Sequence, residues 1–155
     1  MNFKPVMNSP EELAAKAPRY KAVTDFMVPV NLLVSFRAEQ PIREVIDTII
    51  ERGISGGPVL DDNKNLIGII SEKDCLRLMV DDAYHNLPAS TRTVADYMTR
   101  KVQTLSPASD VVEAANAFLN SPVRRLPIVE NGKLLGQISR RDILKAAQEI
   151  AHTSW

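Results

Sequence analysis

The chain reads as a mixed α/β (α+β) protein built from one unit used twice, each copy running strand, helix, strand, strand, helix. Three observations predict this. The same residue strings recur in the same order in both halves, the hydrophobic period switches from helical to extended at matching places, and turn-forming residues divide the extended runs. Val23-Thr-Asp-Phe-Met27, Gly57-Pro-Val-Leu60 and Leu66-Ile-Gly-Ile-Ile-Ser-Glu-Lys-Asp74 are answered by Val94-Ala-Asp-Tyr-Met98, Leu126-Pro-Ile-Val129 and Leu134-Leu-Gly-Gln-Ile-Ser-Arg-Arg-Asp142. Two copies of one structural unit explain that correspondence most simply.

Each element follows from its own pattern. Short strands are expected near Val34 and from Val102 to Leu105. Ile42, Val45, Ile46, Ile49 and Ile50 fall on one helix face, as do Val111, Ala114, Ala115, Phe118 and Leu119. After each helix comes a β-branched run, a polar turn (61–65 or 130–133) and a second apolar run, the pattern of a β-hairpin, with Asn131-Gly132 the stronger turn signal. The second strands end at Ser71 and Ser139 and lead into further helices, with Leu76, Met79, Val80 and Ala83 on one face of the first, and Ile143, Ala146, Ala147, Ile150 and Ala151 on one face of the second. A strand that returns through a helix beside a hairpin predicts one parallel pairing next to an antiparallel one. The chain divides into an accessory arm at 1–20 with a short helix at Glu11 to Lys16, a first repeat at 21–84, a connector at 85–93 and a second repeat at 94–152.

Composition narrows the function. Of 155 residues, 45% are apolar and 25% charged, the balance of a globular protein. Nineteen basic residues offset nineteen acidic ones, so no overall field draws in nucleic acid or an anionic membrane, and neither is expected as a partner. Without a signal-like N-terminus or a membrane-spanning run the expected location is the cytoplasm. Cys75 is the one cysteine, so no intrachain disulfide forms, and its place in an apolar helical pattern predicts a buried, inert thiol. There is no phosphate-binding Gly-rich loop, no His-Glu-x-x-His and no cysteine cluster, and Ser71 and Ser139 lack a nearby base, so no enzyme activity, catalytic cofactor or metal is expected.

Asp25-Phe-Met27 with Asp96-Tyr-Met98, Gly53-Ile-Ser-Gly-Gly-Pro-Val59 with Arg124-Arg-Leu-Pro-Ile128, and the two Gly-to-Asp strings ending at Asp74 and Asp142 together resemble the cystathionine β-synthase (CBS) domain pair, or Bateman module, over about 22 to 151. The resemblance implies two repeats packed about a pseudo-two-fold axis, with two clefts between them that in many members hold an adenine nucleotide (AMP, ADP or ATP) or S-adenosylmethionine. It also implies pairing into flat dimers, and with no catalytic, channel or DNA-binding segment read in these residues the regulated target is expected to be a separate, unidentified protein. A homodimer follows separately from the helix count, since four amphipathic helices exceed what two small sheets cover.

By spacing, Ser71 with Asp74 and Ser139 with Asp142 are capping boxes; by the resemblance, the two acids with their serines hold a ribose. Both uses draw on one geometry, a helix N-terminus with unpaired N–H donors suited to an anion and a carboxylate suited to paired hydroxyls. The resemblance maps an adenine slot onto Val34, Ser35, Ile54, Gly57 and Pro58 in the first copy, and onto Val102, Thr104, Val123, Leu126 and Pro127 in the second. Core packing is the alternative for Ile54 and Val123. For phosphate, the second copy offers Arg124, Arg125, Arg140 and Arg141, the first only Lys73 beside Glu72. Arg140 and Arg141 oppose the helix dipole; they are either a solvated face or a phosphate site, and guanidinium forks suit phosphate well. The expectation is therefore a regulatory module that binds an adenine nucleotide mainly at the second copy's site, the alternative being a ligand-free dimerisation module. Asp25 and Asp96 are expected to be N-caps or turn acceptors.

Overall fold

The computed structural model describes residues 20–86 and 91–153. Most of the expected arm, with its helix at 11–16, and residues 87–90 of the connector lie outside them. The strands are β1 (Val28–Pro29), β2 (Gly56–Leu60), β3 (Leu66–Ser71), β4 (Arg125–Glu130) and β5 (Lys133–Ser139). The α-helices are α1 (Ile42–Arg52), α2 (Glu72–His85), α3 (Val94–Tyr97), α4 (Val111–Leu119) and α5 (Arg140–Thr153), and 3-10 turns stand at Val23–Asp25 and Val30–Leu32.

Local chemistry sets the boundaries. α1 ends at Gly53, whose φ of 61° lets its N–H turn back to the Ile49 carbonyl. α4 opens on Asp110, whose carboxylate accepts the Glu113 N–H at 2.8 Å while Glu113 accepts the Asp110 N–H at 3.2 Å. The β4–β5 turn carries φ of 51° and 83° at Asn131 and Gly132, the doubly positive pair of a type I′ hairpin. The β2–β3 turn instead closes on the Asp61 carboxylate, which accepts the N–H groups of Asn63 (2.9 Å) and Asn65 (2.8 Å).

Both hairpins are antiparallel, and the expected parallel pairing shrinks to one bridge per repeat, Phe36 to Val59 and Leu105 to Ile128. Phe36 donates to the Pro58 carbonyl and accepts from Leu60, as Leu105 donates to Pro127 and accepts from Val129. The first-copy strand thus centres on Phe36, two residues past Val34.

The repeats are interlaced. β1 pairs with β5 of the second repeat, and Thr99 bridges to Ile69 of the first. Val23 lies at 0% exposure in the core of Ala114, Phe118, Leu126, Ile128 and Ile138, while Val94, Tyr97 and Met98 complete the core of Phe36, Ile42, Val45, Ile49, Val59 and Ile70. Each copy's opening segment therefore fills the other copy's core, where burying a large aliphatic side chain contributes about 1.5–3 kcal/mol. The hairpin tips also meet, with the Leu66 N–H on the Gly132 carbonyl (3.0 Å) and the Leu134 N–H on the Lys64 carbonyl (3.3 Å). These reciprocal contacts follow the pseudo-two-fold relation of the repeats.

The helices bury only part of their apolar faces. Ile42, Val45 and Ile49 are inside, but Ile50 is 72% exposed; Val111, Ala114 and Phe118 are inside, but Leu119 is 85% exposed. Leu76, Met79 and Val80 do share a face of α2, but it points outward, and Leu78 is the apolar residue of that helix that enters the core.

Candidate functional site

The two acids at the helix starts stand in similar geometry and different surroundings. At the start of α5, the Ser139 N–H and Oγ–H donate to Asp142 Oδ2 at 2.8 and 2.9 Å, and the Asp142 N–H donates to Ser139 Oγ at 3.2 Å. At the start of α2, Ser71 N–H and Oγ–H each donate to Asp74 Oδ2 at 3.0 Å, and Asp74 N–H returns to Ser71 Oγ at 3.3 Å. Both are capping boxes, which hold each carboxylate in one orientation at a helix N-terminus.

The other carboxylate oxygen differs. Asp142 is half-buried, and its Oδ1 makes no hydrogen bond to a described residue. Asp74 is 4% exposed, the one buried charged residue among those described, and its Oδ1 accepts the Thr99 hydroxyl at 3.4 Å. Thr99 belongs to the second repeat; Val28 takes the matching place in the first, one residue past Met27 as Thr99 is one past Met98. Nothing in the repeat pattern singled out Thr99. Its signal was the mismatch of Thr with Val at equivalent positions.

Four arginines of the second repeat lie near the start of α5 in sequence or across the ladder from it. Arg125 sits across the ladder from Ser139, Arg140 donates from Nη2 to the Val123 carbonyl at 3.0 Å, and Arg124, Arg125, Arg140 and Arg141 are all exposed. None of the four makes an ion pair with a described residue. Lys73 is exposed as well, and lines a groove of about 380 Å³ with Leu76, Arg77, Val80, Asp81, Asp96 and Tyr97.

The expected slot residues divide by exposure. Thr104 and Ser35 are exposed, and Val34, Val102, Val123, Ile54 and Gly57 are half-buried. Leu126, Pro58 and Pro127 are fully buried and, contrary to expectation, present no side chain to a ligand, and both proline carbonyls already accept a hydrogen bond. Gly57 meets the first short strand closely, since a Cβ there would lie 2.5 Å from the Val34 carbonyl oxygen. Val123 packs on the second core and Ile54 on the first, the packing role open to both. Ile54 also lines an open groove of about 470 Å³ between α1 and α2, with Ile46, Ile49, Ile50, Cys75 and Leu76. Burial, with Asp74 and Glu72 close by, pushes the Cys75 thiol up to about 11.

No group of metal-ligating side chains gathers among the described residues, and no helix among them is long and apolar enough to cross a membrane. Two interlaced α/β repeats, each with a carboxylate locked at a helix start, define a paired-repeat module. The CBS domain model matches residues 23–81 and 94–149, and the chain belongs to the CBS domain family as a tandem pair. It is 28% identical over 168 residues to the chloroplastic CBS domain-containing protein CBSX2 of Arabidopsis thaliana, covering 93% of this chain and 70% of that one. The structure of CBSX2 in complex with AMP superposes with a TM-score of 0.75 at 30% identity, over 85% of this chain and 98% of that chain. Protein MJ1225 of Methanocaldococcus jannaschii is 29% identical over 113 residues, 73% of this chain and 39% of its own length. CbpB in complex with c-di-AMP shares the fold, with a TM-score of 0.74 at 19% identity over 86% of this chain and 88% of that one.

Proposed function

We propose that this CBS pair is a non-catalytic regulatory module that binds an adenine nucleotide between its repeats and reports the ligand to a separate protein. The observation that carries the reading is Asp142, a carboxylate with one oxygen held by Ser139 and the other without a hydrogen bond to any described residue, at a helix N-terminus flanked by guanidinium groups that make no ion pair with a described residue. Such a carboxylate accepts from ribose hydroxyls, while the N–H groups of the helix start and the forks of Arg125, Arg140 and Arg141 meet phosphate. Thr104, Val102 and Val123 supply the partly open flank for a base. The likeness to CBSX2, solved with AMP, supports an adenine nucleotide as the ligand class.

Calorimetric titration of AMP, ADP, ATP and S-adenosylmethionine tests the reading. An adenine nucleotide should bind, and Asp142→Ala should weaken it by roughly ten- to a hundredfold, the worth of hydrogen bonds to a charged group. Full affinity in Asp142→Ala would sink the assignment. Preference for S-adenosylmethionine would redirect it to an adenosyl ligand without phosphates.

The second reading, a dimerisation module that takes no ligand, is favoured by one observation: Ile50, Leu76, Met79, Leu119 and Leu144 are each more than half exposed on the helices. A homodimer is part of both readings, and only the absence of any ligand in the titrations would favour the second.

A further inference from the structure

Resting on the nucleotide reading above, we propose that the chain closes its own first cleft: the Thr99 hydroxyl occupies the Asp74 oxygen that a ribose would need, so each chain takes one nucleotide, at Asp142. Asp74 already spends Oδ2 on the N–H and hydroxyl of Ser71, and Oδ1 on Thr99. At 4% exposure it has almost no face left for a ligand. A ribose must displace the Thr99 hydroxyl from Oδ1, and the backbone hydrogen bonds that Thr99 and Ile69 exchange at 2.9 and 2.8 Å hold that residue in place.

The pseudo-symmetric position lacks the device. Val28 stands where Thr99 stands, pairs through its backbone with Gln137 of β5, and has no hydroxyl to offer Asp142. One methyl-for-hydroxyl difference therefore separates an occupied acid from one whose Oδ1 has no hydrogen-bond partner among the described residues. The difference runs in the same direction as the arginines, which also gather only at the second repeat.

Titration of AMP into wild type, Thr99→Val, Thr99→Ser and Asp74→Ala tests the inference, with melting temperature followed to confirm that each variant is folded. Wild type should take about one equivalent per chain, and Thr99→Val, which copies the Val28 side, should take about two because Asp74 regains an unpaired acceptor. Thr99→Ser keeps the hydroxyl and should remain at the wild-type value. Asp74→Ala should bind as wild type does. Two equivalents in wild type, or no gain in a folded Thr99→Val, would overturn the inference while leaving nucleotide binding intact. No binding in any form would overturn the nucleotide reading itself.

Discussion

A Cβ placed on Gly136 would lie 2.7 Å from the Sδ of Met27, so the first copy's methionine packs directly on the second copy's strand. Met98 and Gly68 repeat the contact at 2.9 Å. A thioether adapts, but the carbonyl oxygens of Val28 (2.5 Å from the Gly136 position) and Thr99 (2.9 Å from the Gly68 position) belong to paired backbone and do not. Gly136→Ala and Gly68→Ala should each cost about 1–3 kcal/mol, the range of overpacking. Urea unfolding of the two variants checks this, and stability unchanged within about 0.5 kcal/mol would show that the strands separate easily.

Asp96 and Asp25 match in sequence and differ in work. Asp96 Oδ2 accepts the Thr93 N–H at 2.9 Å and its hydroxyl at 3.3 Å, the turn-acceptor role expected of it. Asp25 is exposed, and no side-chain hydrogen bond caps its 3-10 turn. Asp96→Ala should destabilise by roughly 0.5–2 kcal/mol, and Asp25→Ala should fall within about 0.5 kcal/mol of wild type. Thermal unfolding of the pair decides; equal losses would mean that Asp25 has a partner in solution.

The exposed edges of the helices predict self-association. Ile50 and Leu119 occupy equivalent places on α1 and α4, and Leu76 and Leu144 on α2 and α5, so a second chain that covers one set is positioned to cover the other. Light scattering after gel filtration should give a dimer, and Leu119→Glu combined with Ile50→Glu should give a folded monomer. A wild-type monomer at micromolar concentration would contradict the dimer.

Cys75 supplies a pH dependence. Its folded pKa is raised from an ordinary 9.0 to about 11, so the protonated thiol is the form the fold prefers. The contribution is fully present below pH 9 and is lost as pH rises through about 11. Stability should therefore fall more steeply over that window in wild type than in Cys75→Ala, and alkylation by iodoacetamide near pH 8 should be slow in the native state. Rapid alkylation of the folded protein would show the thiol to be more open than its surroundings imply.

Helices and hairpins were legible because each rests on local pattern. Asn131-Gly132 names its own turn, and the spacing of Ile42, Val45 and Ile49 names its own face. The capping boxes at Ser71 and Ser139 were legible for the same reason. The placement of Val23 and Val94 was not, because exchange between repeats leaves the hydrophobic pattern of each segment unchanged: a valine buried in its neighbour's core reads like one buried in its own. The outward turn of Leu76 and Met79 was hidden too, since periodicity reports a face and not what lies against it. The contrast between Asp74 and Asp142 depends on a residue 25 positions away from Asp74 in sequence. No window around either acid contains it.

The exchange of opening segments makes the pair, and not the single repeat, the unit that folds. A chain cut within the connector yields two fragments that each carry a piece of the other's core and lack one of their own. Val23 would leave with the first fragment, exposing the pocket formed by Ala114, Phe118 and Ile138; Val94, Tyr97 and Met98 would leave with the second, exposing Phe36 and Val45. Each fragment alone would be a sticky, incomplete body, and mixed together they would reassemble by trading segments. Duplication of such a unit within one chain turns an association between two molecules into a connection that dilution cannot undo.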